Sequence, residues 1–316
     1  MKGFFEQLLR KITAGFTRLR RAVRHLTYRV KIRPAGELSL YHILKLYSAG
    51  LANGALAARA ESVAYSFFMA VFPAVAFVFS VIPYIPIDGL QQTLMQTIEE
   101  AMPPHTWETV GPTVNDIIHI KRGGLLSFSL LGILIFTTNG INGLIANFRT
   151  SYNKISMRSY LNQYLISLSL VLLLLLILIT TLALIVASRL LMEYLEANGG
   201  LAFDTIDPGA IVKYGLIGFS LLVCVSLIFH FGPRQRGLPF FSPGAILSTL
   251  LVLASSSVFA FYINHFSQYN KLYGSIGAVL IFMFWLFIIA FLLLVGFELN
   301  AAIVRSMSHL KQRQTK

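Results

Sequence analysis

The feature that most constrains this chain is the apolar run over residues 167–188, SLSLVLLLLLILITTLALIVAS, which contains no charged side chain. A bilayer core about 30 Å thick needs roughly 20 apolar residues of helix to cross it. A leucine-rich stretch of this length with no polar face is too long for a core helix of a soluble protein. The run therefore predicts a transmembrane helix.

Further runs of similar length share its scarcity of charge, and they do not show the alternation of polar and apolar residues that marks a membrane barrel strand. Of the whole chain, 56% is hydrophobic and 12% is charged, whereas a soluble domain carries about 25% charged residues. The sequence therefore predicts an all-α polytopic membrane protein with six transmembrane helices and an N-terminal amphipathic helix. The predicted spans cover residues 62–86, 124–148, 161–188, 210–231, 243–266 and 274–304.

Basic residues are unevenly distributed around these spans. The net charge is +13, and with six spans all but five Lys and Arg residues fall on the side of the two termini. The exceptions are Lys121, Arg122, Arg189, Lys213 and Lys271. Because cytoplasmic loops carry the excess of Lys and Arg, both termini are expected in the cytoplasm. The positive charge is thus a topology and membrane-surface signal, and no nucleic-acid-binding signature accompanies it.

The first 26 residues combine an apolar stripe with a basic face. Such a helix is expected to lie in the cytoplasmic interface with its cations over anionic headgroups; the alternative is a topology-setting arm with no lipid role. A short elbow helix over residues 38–58 is expected to follow. The predicted organisation is a cytoplasmic segment at 1–61, a transmembrane domain at 62–304 and a basic tail at 305–316. The apolar stripe consists of Phe5, Leu8, Leu9, Ile12, Phe16, Leu19, Val23 and Leu26.

Few polar residues lie inside the predicted spans, and each requires a partner or a cavity. Glu298 either reaches a basic partner such as Arg305 or Arg59, or the headgroup region, or acts as a gate or headgroup contact. In the second span, Asn139 and Asn142 stand beside small residues, which favours helix packing, with a polar cavity as the alternative. Pro73 predicts a kink in the first span, serving as a hinge or only as shape.

Four segments of the sequence resemble the YihY/BrkB family of bacterial inner-membrane proteins. They are AESVAYSFFMAVFPAV (60–75), SPGAILSTLL (242–251), FYINHFSQYNKLYGSIGAVL (261–280) and WLFIIAFLLLVGFELN (285–300). The resemblance implies a six-helix bundle in the bacterial inner membrane, in a family once labelled ribonuclease BN and without agreed catalytic residues. The positions that match its pattern are Tyr65, Pro73, Pro243, Gly244, Tyr273, Gly274, Glu298 and Asn300.

The sequence is compatible with three functions. The favoured one is an inner-membrane transporter or exporter of a lipid or other amphiphile, or a component of such a system. The alternative is a noncatalytic anchor for an envelope-spanning partner that docks on the outer loop 87–123, where residues 87–102 read as an amphipathic helix. A ribonuclease is disfavoured, because the four acids on the side of the termini are scattered and metal-dependent cleavage needs a cluster of them.

The sequence gives no reason to expect an enzyme. Cys224 is the single cysteine, so Cys-clustered metal sites are excluded. The sequence contains no nucleotide-binding loop or dinucleotide fingerprint, and neither a cofactor nor a metal is expected. The candidate cavity or gating residues are Tyr65, Pro73, Asn139, Asn142, Tyr273, Gly274, Glu298 and Asn300.

Overall fold

A computed structural model of the protein describes residues 40–84, 90–101, 108, 111–112, 114–116, 118, 120–151, 159–197, 208–233, 237–266 and 275–314. The predicted N-terminal amphipathic helix lies outside these residues. Across them the secondary structure is helical, and six helices are long and apolar enough to cross a membrane. The predicted six-span, all-α fold is confirmed. The helices are α1 (Leu40–Asn53), α2 (Leu56–Val81), α3 (Leu90–Ala101), α4 (Gly123–Arg149), α5 (Tyr160–Ala197), α6 (Pro208–Phe231), α7 (Pro243–Phe266) and α8 (Ser275–Gln314), with a 3-10 turn at Ile82–Tyr84 after α2.

The elbow and the first span differ from their predicted limits. The elbow helix α1 ends at Asn53, because Gly54 packs against the carbonyl of Gly50 and Ala55 takes a left-handed conformation with φ 46°. The first span then starts at Leu56 rather than at residue 62. The predicted span stops at the charged residues Glu61 and Arg59, but both belong to α2; Glu61 is exposed and Arg59 is buried inside the helical bundle.

The six spanning helices form a closed ring in chain order. In the series α2, α4, α5, α6, α7 and α8, each helix contacts the one that follows it. The last helix, α8, also contacts the first, α2, which closes the ring. The elbow helix α1 packs along the last part of α8, where Ile43 and Ile303 form a small apolar cluster against which Met307 packs. We call the end of the ring that carries α1 and the last turns of α8 the proximal end, and the opposite end the distal end.

Small residues let α2 and α4 approach closely. A Cβ atom on Gly140 would lie 2.8 Å from the Phe67 ring, and one on Gly132 would lie 2.9 Å from Pro73. Such close backbone approach is how helices associate in a bilayer, where apolar burial gives little advantage over lipid contact. The small residues of the second predicted span therefore serve packing.

Buried side chains are concentrated near the proximal end. In α2 they are clustered from Leu56 to Ala64, and in α4 from Thr138 to Phe148. Towards the distal end the described spans bury few side chains: Ser80 and Ser129, whose hydroxyls bond to a carbonyl of their own helix, and Ile82 and Pro83 in the turn after α2. The proximal half therefore contains the core of the ring.

Candidate functional site

Three phenylalanine rings meet at the centre of the ring, near its proximal end. Phe148 comes from α4, Phe229 from α6 and Phe297 from α8, so alternate helices supply them. The rings of Phe148 and Phe297 are stacked with centroids 3.7 Å apart, and Phe229 meets each of them edge-on at 5.6 Å. All three side chains are buried. Because they come from helices that are not neighbours in the ring, they fill its centre; we call them the aromatic plug.

A buried ion pair lies beside the aromatic plug. Arg59 Nη1 is 2.8 Å from Glu298 Oε1, and the Ser151 hydroxyl donates to Glu298 Oε2 at 2.8 Å. The exposed fractions are 6% for Arg59 and 0% for Glu298. The structure thus selects Arg59 from the two basic partners that the sequence suggested for Glu298.

The arginine also joins three segments of the chain. Its Nη1 atom donates to the Gly54 carbonyl at 3.1 Å, and its Nη2 atom donates to the Asn147 carbonyl at 2.6 Å. Among the described residues its Nε atom has no hydrogen-bond partner. Burying a charge is costly unless it is paired and hydrogen-bonded, and these contacts largely meet that condition. We call Arg59, Glu298 and Ser151 the ion-pair latch.

The latch and the plug occupy adjacent positions in two helices. Phe297 of the plug precedes Glu298 of the latch in α8, and Phe148 of the plug follows Asn147, whose carbonyl holds Arg59. A rotation of α8 that separated Glu298 from Arg59 would therefore also move the Phe297 ring. This arrangement couples the two clusters mechanically.

A second polar cluster fixes the start of α7 against α8. Ser242 caps the helix by accepting from the Ala245 amide at 3.3 Å, and Pro243 occupies the first helical position, where its missing N–H costs nothing. The Asn300 side chain accepts from the Gly244 amide at 2.8 Å and donates to the Ser242 hydroxyl at 2.8 Å. Gly244 must lack a side chain, because a Cβ atom there would collide with Asn300 and with the Gly296 carbonyl.

The structure buries Glu298 and Asn300 near the proximal end, whereas the other described candidates are less buried. Tyr65 and Asn139 are exposed, and Asn142 is half-buried. Pro73 is half-buried and packs against Gly132. Tyr273 and Gly274 lie outside the described residues.

Sequence reasoning missed the plug and Ser151. The plug residues Phe148, Phe229 and Phe297 resemble any other apolar residue of a span, so no local signal distinguishes them. Ser151 follows the end of α4 and likewise gives no signal. The Ser-Pro pair at 242–243, in contrast, is a recognisable helix start.

The pKa of one tyrosine near the site, Tyr47, is shifted by its surroundings. Burial raises the pKa of Tyr47, in the elbow helix α1, and the negative charge of Glu298 raises it further. Across the described residues no group of three His, Cys, Asp or Glu side chains could hold a metal ion. The chemistry that this site offers is therefore a coupled charge pair beside an apolar plug.

Comparisons with known proteins place this arrangement in a family. The family described as "Virulence factor BrkB" matches residues 49–316. The "Putative ribonuclease-like protein YfkH" of Bacillus subtilis is 26% identical over 244 residues, which cover 77% of this chain and 88% of that protein. A "UPF0761 membrane protein" of Chlorobium limicola is 32% identical over 109 residues, which cover 33% of this chain and 25% of that protein.

A further UPF0761 membrane protein, from Rhodospirillum centenum, is 24% identical over 253 residues, which cover 78% of this chain. The matched region is about half of that relative's length, at 54%. No solved structure matches the chain. With a match that includes α2 to α8, the latch, the plug and the α7 cap, the chain belongs to the BrkB family of membrane proteins.

Proposed function

We propose that this protein is a transporter or exporter of a lipid or other amphiphile in the bacterial inner membrane, or a component of such a system. One observation carries the proposal. Six helices form a closed ring whose centre is filled by the aromatic plug at the proximal end, whereas buried side chains are scarce in the described distal halves. A ring sealed at one end is the arrangement expected of a gated path.

The plug has the properties of an apolar gate. Its three rings have no polar atoms and fill the axis of the ring, so they exclude ions and water. Ser226 lies three residues before Phe229 on the same face of α6, and its buried hydroxyl has no partner among the described residues. A hydroxyl of this kind next to an apolar gate suits a cargo with both a polar and an apolar part.

The ion-pair latch provides a way to control the gate. It links the start of α2 to α8 and to the end of α4, the two helices that supply the stacked rings of the plug. Opening the plug requires α4 and α8 to separate, which would stretch or break the contacts of Arg59. The latch therefore holds the resting state closed, and the cargo must supply the free energy to release it.

The proposal places the proximal end in the cytoplasm, because the side of the termini carries most of the Lys and Arg residues. The test uses a Cys224→Ala background with single cysteines at Ser308 and at Gln92, which are exposed at opposite ends. In intact cells a membrane-impermeant thiol reagent is expected to label the cysteine at 92 and not the one at 308. Labelling of both positions, or of 308 alone, would contradict this orientation.

The transport test uses purified protein in phospholipid vesicles that contain a fluorescent phospholipid. Membrane-impermeant reduction of the fluorophore measures how fast the lipid crosses to the accessible leaflet. The wild-type protein is expected to accelerate this crossing. Phe297→Ala is expected to accelerate it further, by about tenfold if losing the ring lowers the barrier by about 1.4 kcal/mol.

The matched control is Phe128→Ala, since Phe128 is 77% exposed in the distal half of α4. It is expected to leave the crossing rate unchanged. A wild-type protein that moved no labelled lipid or other amphiphile under any ion gradient would refute the proposal. Equal rates for Phe297→Ala and Phe128→Ala would refute the role of the plug.

A second candidate function is a noncatalytic anchor for an envelope-spanning partner. It is favoured by α3, the amphipathic helix Leu90–Ala101, which lies between the first two spans and exposes Gln92, Gln96 and Glu99. Residues 87–123 are then the docking segment. Deleting this segment is expected to remove a co-purifying envelope protein, and retention of every such protein would remove the basis of this alternative.

No catalytic role is part of the proposal, although the name of the Bacillus subtilis relative refers to a ribonuclease. Glu298 is held by Arg59 and Ser151 and is fully buried, so it is poorly placed to bind a metal for RNA cleavage. RNA cleavage by the pure protein that disappeared in Glu298→Ala would contradict this view.

A further inference from the structure

The spanning helix α4 carries a carboxamide on its outer side. Phe148 of this helix points to the centre of the ring, and Asn139 lies nine residues before it. Nine residues are about two and a half helical turns, so Asn139 faces away from the ring, and its side chain is exposed. Residues on this side recur at intervals of three and four and form a single stripe. We call this stripe the outer face of α4; it consists of Leu131, Ile135, Asn139, Asn142 and Ala146.

Asn139 lies close to the middle of the membrane. The midpoint of α4 (Gly123–Arg149) is Phe136, and Asn139 is three residues, or about 4.5 Å, from it. The hydrocarbon core of a bilayer is about 30 Å thick, so phospholipid headgroups are out of reach at this depth. Acyl chains neither donate nor accept hydrogen bonds, and water is absent from the hydrocarbon layer. A lipid therefore cannot satisfy this carboxamide.

Neither Asn139 nor the nearby Asn142 has a hydrogen-bond partner for its side chain in the part of the chain that the structure describes. Asn147, by contrast, donates to the Gly143 carbonyl of its own helix at 2.9 Å. A bond of that kind would satisfy one donor of Asn139 and leave its carbonyl oxygen unpaired. Because an unsatisfied polar group in hydrocarbon is costly, the position calls for a partner from another molecule.

We propose that this partner is Asn139 of a second copy of the chain. Two copies in one membrane have the same orientation, so a two-fold axis between them runs along the membrane normal. Such an axis brings each residue of the outer face next to its equivalent at the same depth. A carboxamide both donates and accepts hydrogen bonds, so two of them satisfy each other. Asparagines on spanning helices stabilise helix association in this way.

The rest of the outer face fits a parallel pair of helices. Leu131 and Ile135 are exposed apolar side chains that pack against their equivalents. Asn142 is half-buried one turn closer to the proximal end and adds a second carboxamide at the flank of the contact, and Ala146 is small enough to let the helices approach. The contact leaves the aromatic plug untouched, so it does not depend on the proposed transport path.

The first test is disulfide formation in native membranes, with single cysteines in a Cys224→Ala background. Ile135→Cys lies one turn from Asn139 on the outer face, and the control Leu176→Cys lies at about the same depth on the exposed side of α5. Because a residue near a two-fold axis meets its equivalent, oxidation by molecular iodine, which enters the bilayer, is expected to link Ile135→Cys chains at least tenfold more than Leu176→Cys chains. Equal linkage at the two positions, or no linkage of Ile135→Cys, would overturn the proposal.

Mass spectrometry of the linked product identifies the partner. Copies of the Ile135→Cys chain with two different affinity tags are produced in the same cells, and the product is expected to carry both tags and no other protein. A product in which this chain is linked to a different protein, with none that carries both tags, would overturn a second copy as the occupant.

The second test measures the strength of self-association. Full-length protein labelled with a donor or an acceptor fluorophore is placed in phospholipid vesicles at increasing protein-to-lipid ratios, and energy transfer reports association. Asn139→Leu keeps the approximate size of the side chain and removes the amide. It is expected to weaken association about tenfold, which corresponds to about 1.4 kcal/mol, whereas Asn139→Gln keeps an amide and is expected to retain most of the association. Equal association of the wild-type and Asn139→Leu proteins would overturn the proposal.

The matched control is Ser257→Leu. Ser257 is an exposed polar residue of α7 whose hydroxyl already bonds to the Leu253 carbonyl of its own helix, so its replacement is expected to leave association unchanged. A tenfold loss in this variant as well would show that association does not depend on the outer face of α4. In dilute micelles, where the copies are separated, Asn139→Leu is expected to unfold like the wild type. A large loss of stability there would assign Asn139 a role within a single chain and would overturn the proposal.

Discussion

The two halves of the helical ring are built on different principles. The proximal half contains the aromatic plug, a buried ion pair and a helix cap made across helices by Asn300. The described distal halves show two buried serines, Ser80 and Ser129, whose hydroxyls bond within their own helices. Polar contacts between spanning helices are thus found at the proximal end.

This difference matters because lipid is as apolar as the side chains that face it. In a bilayer, helix association depends on close packing and polar contacts rather than on apolar burial. The proximal half has both, so the gate opens only when these contacts are broken. The described distal halves pack closely at Gly132 against Pro73 and at Phe259 against Trp285, but they have fewer polar contacts between helices.

The largest expected difference between the two halves concerns their ion pairs. Glu298→Gln leaves Arg59 as an uncompensated buried charge and is expected to destabilise the protein by about 3–5 kcal/mol. Equilibrium unfolding in mixed micelles measures this change. Arg59→Gln tests the same pair from the other side.

The matched control is the exposed pair of Arg122 and Asp116 near the distal end, where the atoms are 3.3 Å apart and both side chains are about half exposed. Asp116→Asn is expected to cost no more than about 1 kcal/mol, as exposed pairs do. A similar cost for the two pairs would break the distinction between the halves.

Glycines provide the next largest contrast. Gly296 packs against Gly244 and Ser248, so a methyl group there would force α7 and α8 apart. Gly296→Ala is therefore expected to cost up to about 3 kcal/mol through overpacking. The same measurement in micelles applies.

Gly215, on α6 near the distal end, is the control, because nothing lies within 4 Å of a Cβ atom built there. Gly215→Ala is expected to be neutral or to stabilise the protein by up to about 1 kcal/mol, since alanine favours a helix. A loss of stability at Gly215 equal to that at Gly296 would show that the distal half is tightly packed as well.

The number and type of the helices were predictable from the sequence, because a long apolar run has few alternatives to a membrane span. Span limits were less predictable where a charge is neutralised inside the protein. Glu61 and Arg59 ended the predicted span, yet both belong to α2, and Glu298, distant in sequence, compensates Arg59. Local composition cannot reveal such a distant partner.

The candidate site was predictable only in part, for a similar reason. Glu298 and Asn300 stood out as polar residues in an apolar helix, and both make buried contacts. The Asn147 and Gly54 carbonyls that bind Arg59 belong to the main chain, which every residue possesses. The plug depends on which phenylalanines meet across the ring, and the sequence does not contain that information.

Asparagines give a smaller contrast between a residue that the structure buries and one that it exposes. Asn300→Ala removes the acceptor of the Gly244 amide and is expected to cost about 2 kcal/mol, because that amide is then buried without a partner. Asn139→Ala, at an exposed position, is expected to change stability by less than about 0.5 kcal/mol. A comparable loss at both positions would show that Asn139 has a packing or cavity role in the membrane. Unfolding in micelles distinguishes the two outcomes.

The smallest expected effect tests whether the proximal ion pair is charged. The pKa of Tyr47 is raised by burial and then by Glu298. A raised pKa in the folded state means that folding favours the neutral phenol. Its contribution to stability is present below about pH 10, the ordinary value for tyrosine, and is lost as the pH rises through the folded value.

Glu298→Gln removes the second cause and leaves the Arg59 charge uncompensated, so the pKa of Tyr47 is expected to fall. The difference in tyrosinate absorbance between each protein and its Tyr47→Phe variant isolates this one residue during an alkaline titration. An unchanged pKa would mean that Glu298 carries no charge in the folded protein. Glu298 would then be a neutral hydrogen-bonding group, Arg59 would lack a counter-ion, and the electrostatic contrast between the two halves would no longer hold.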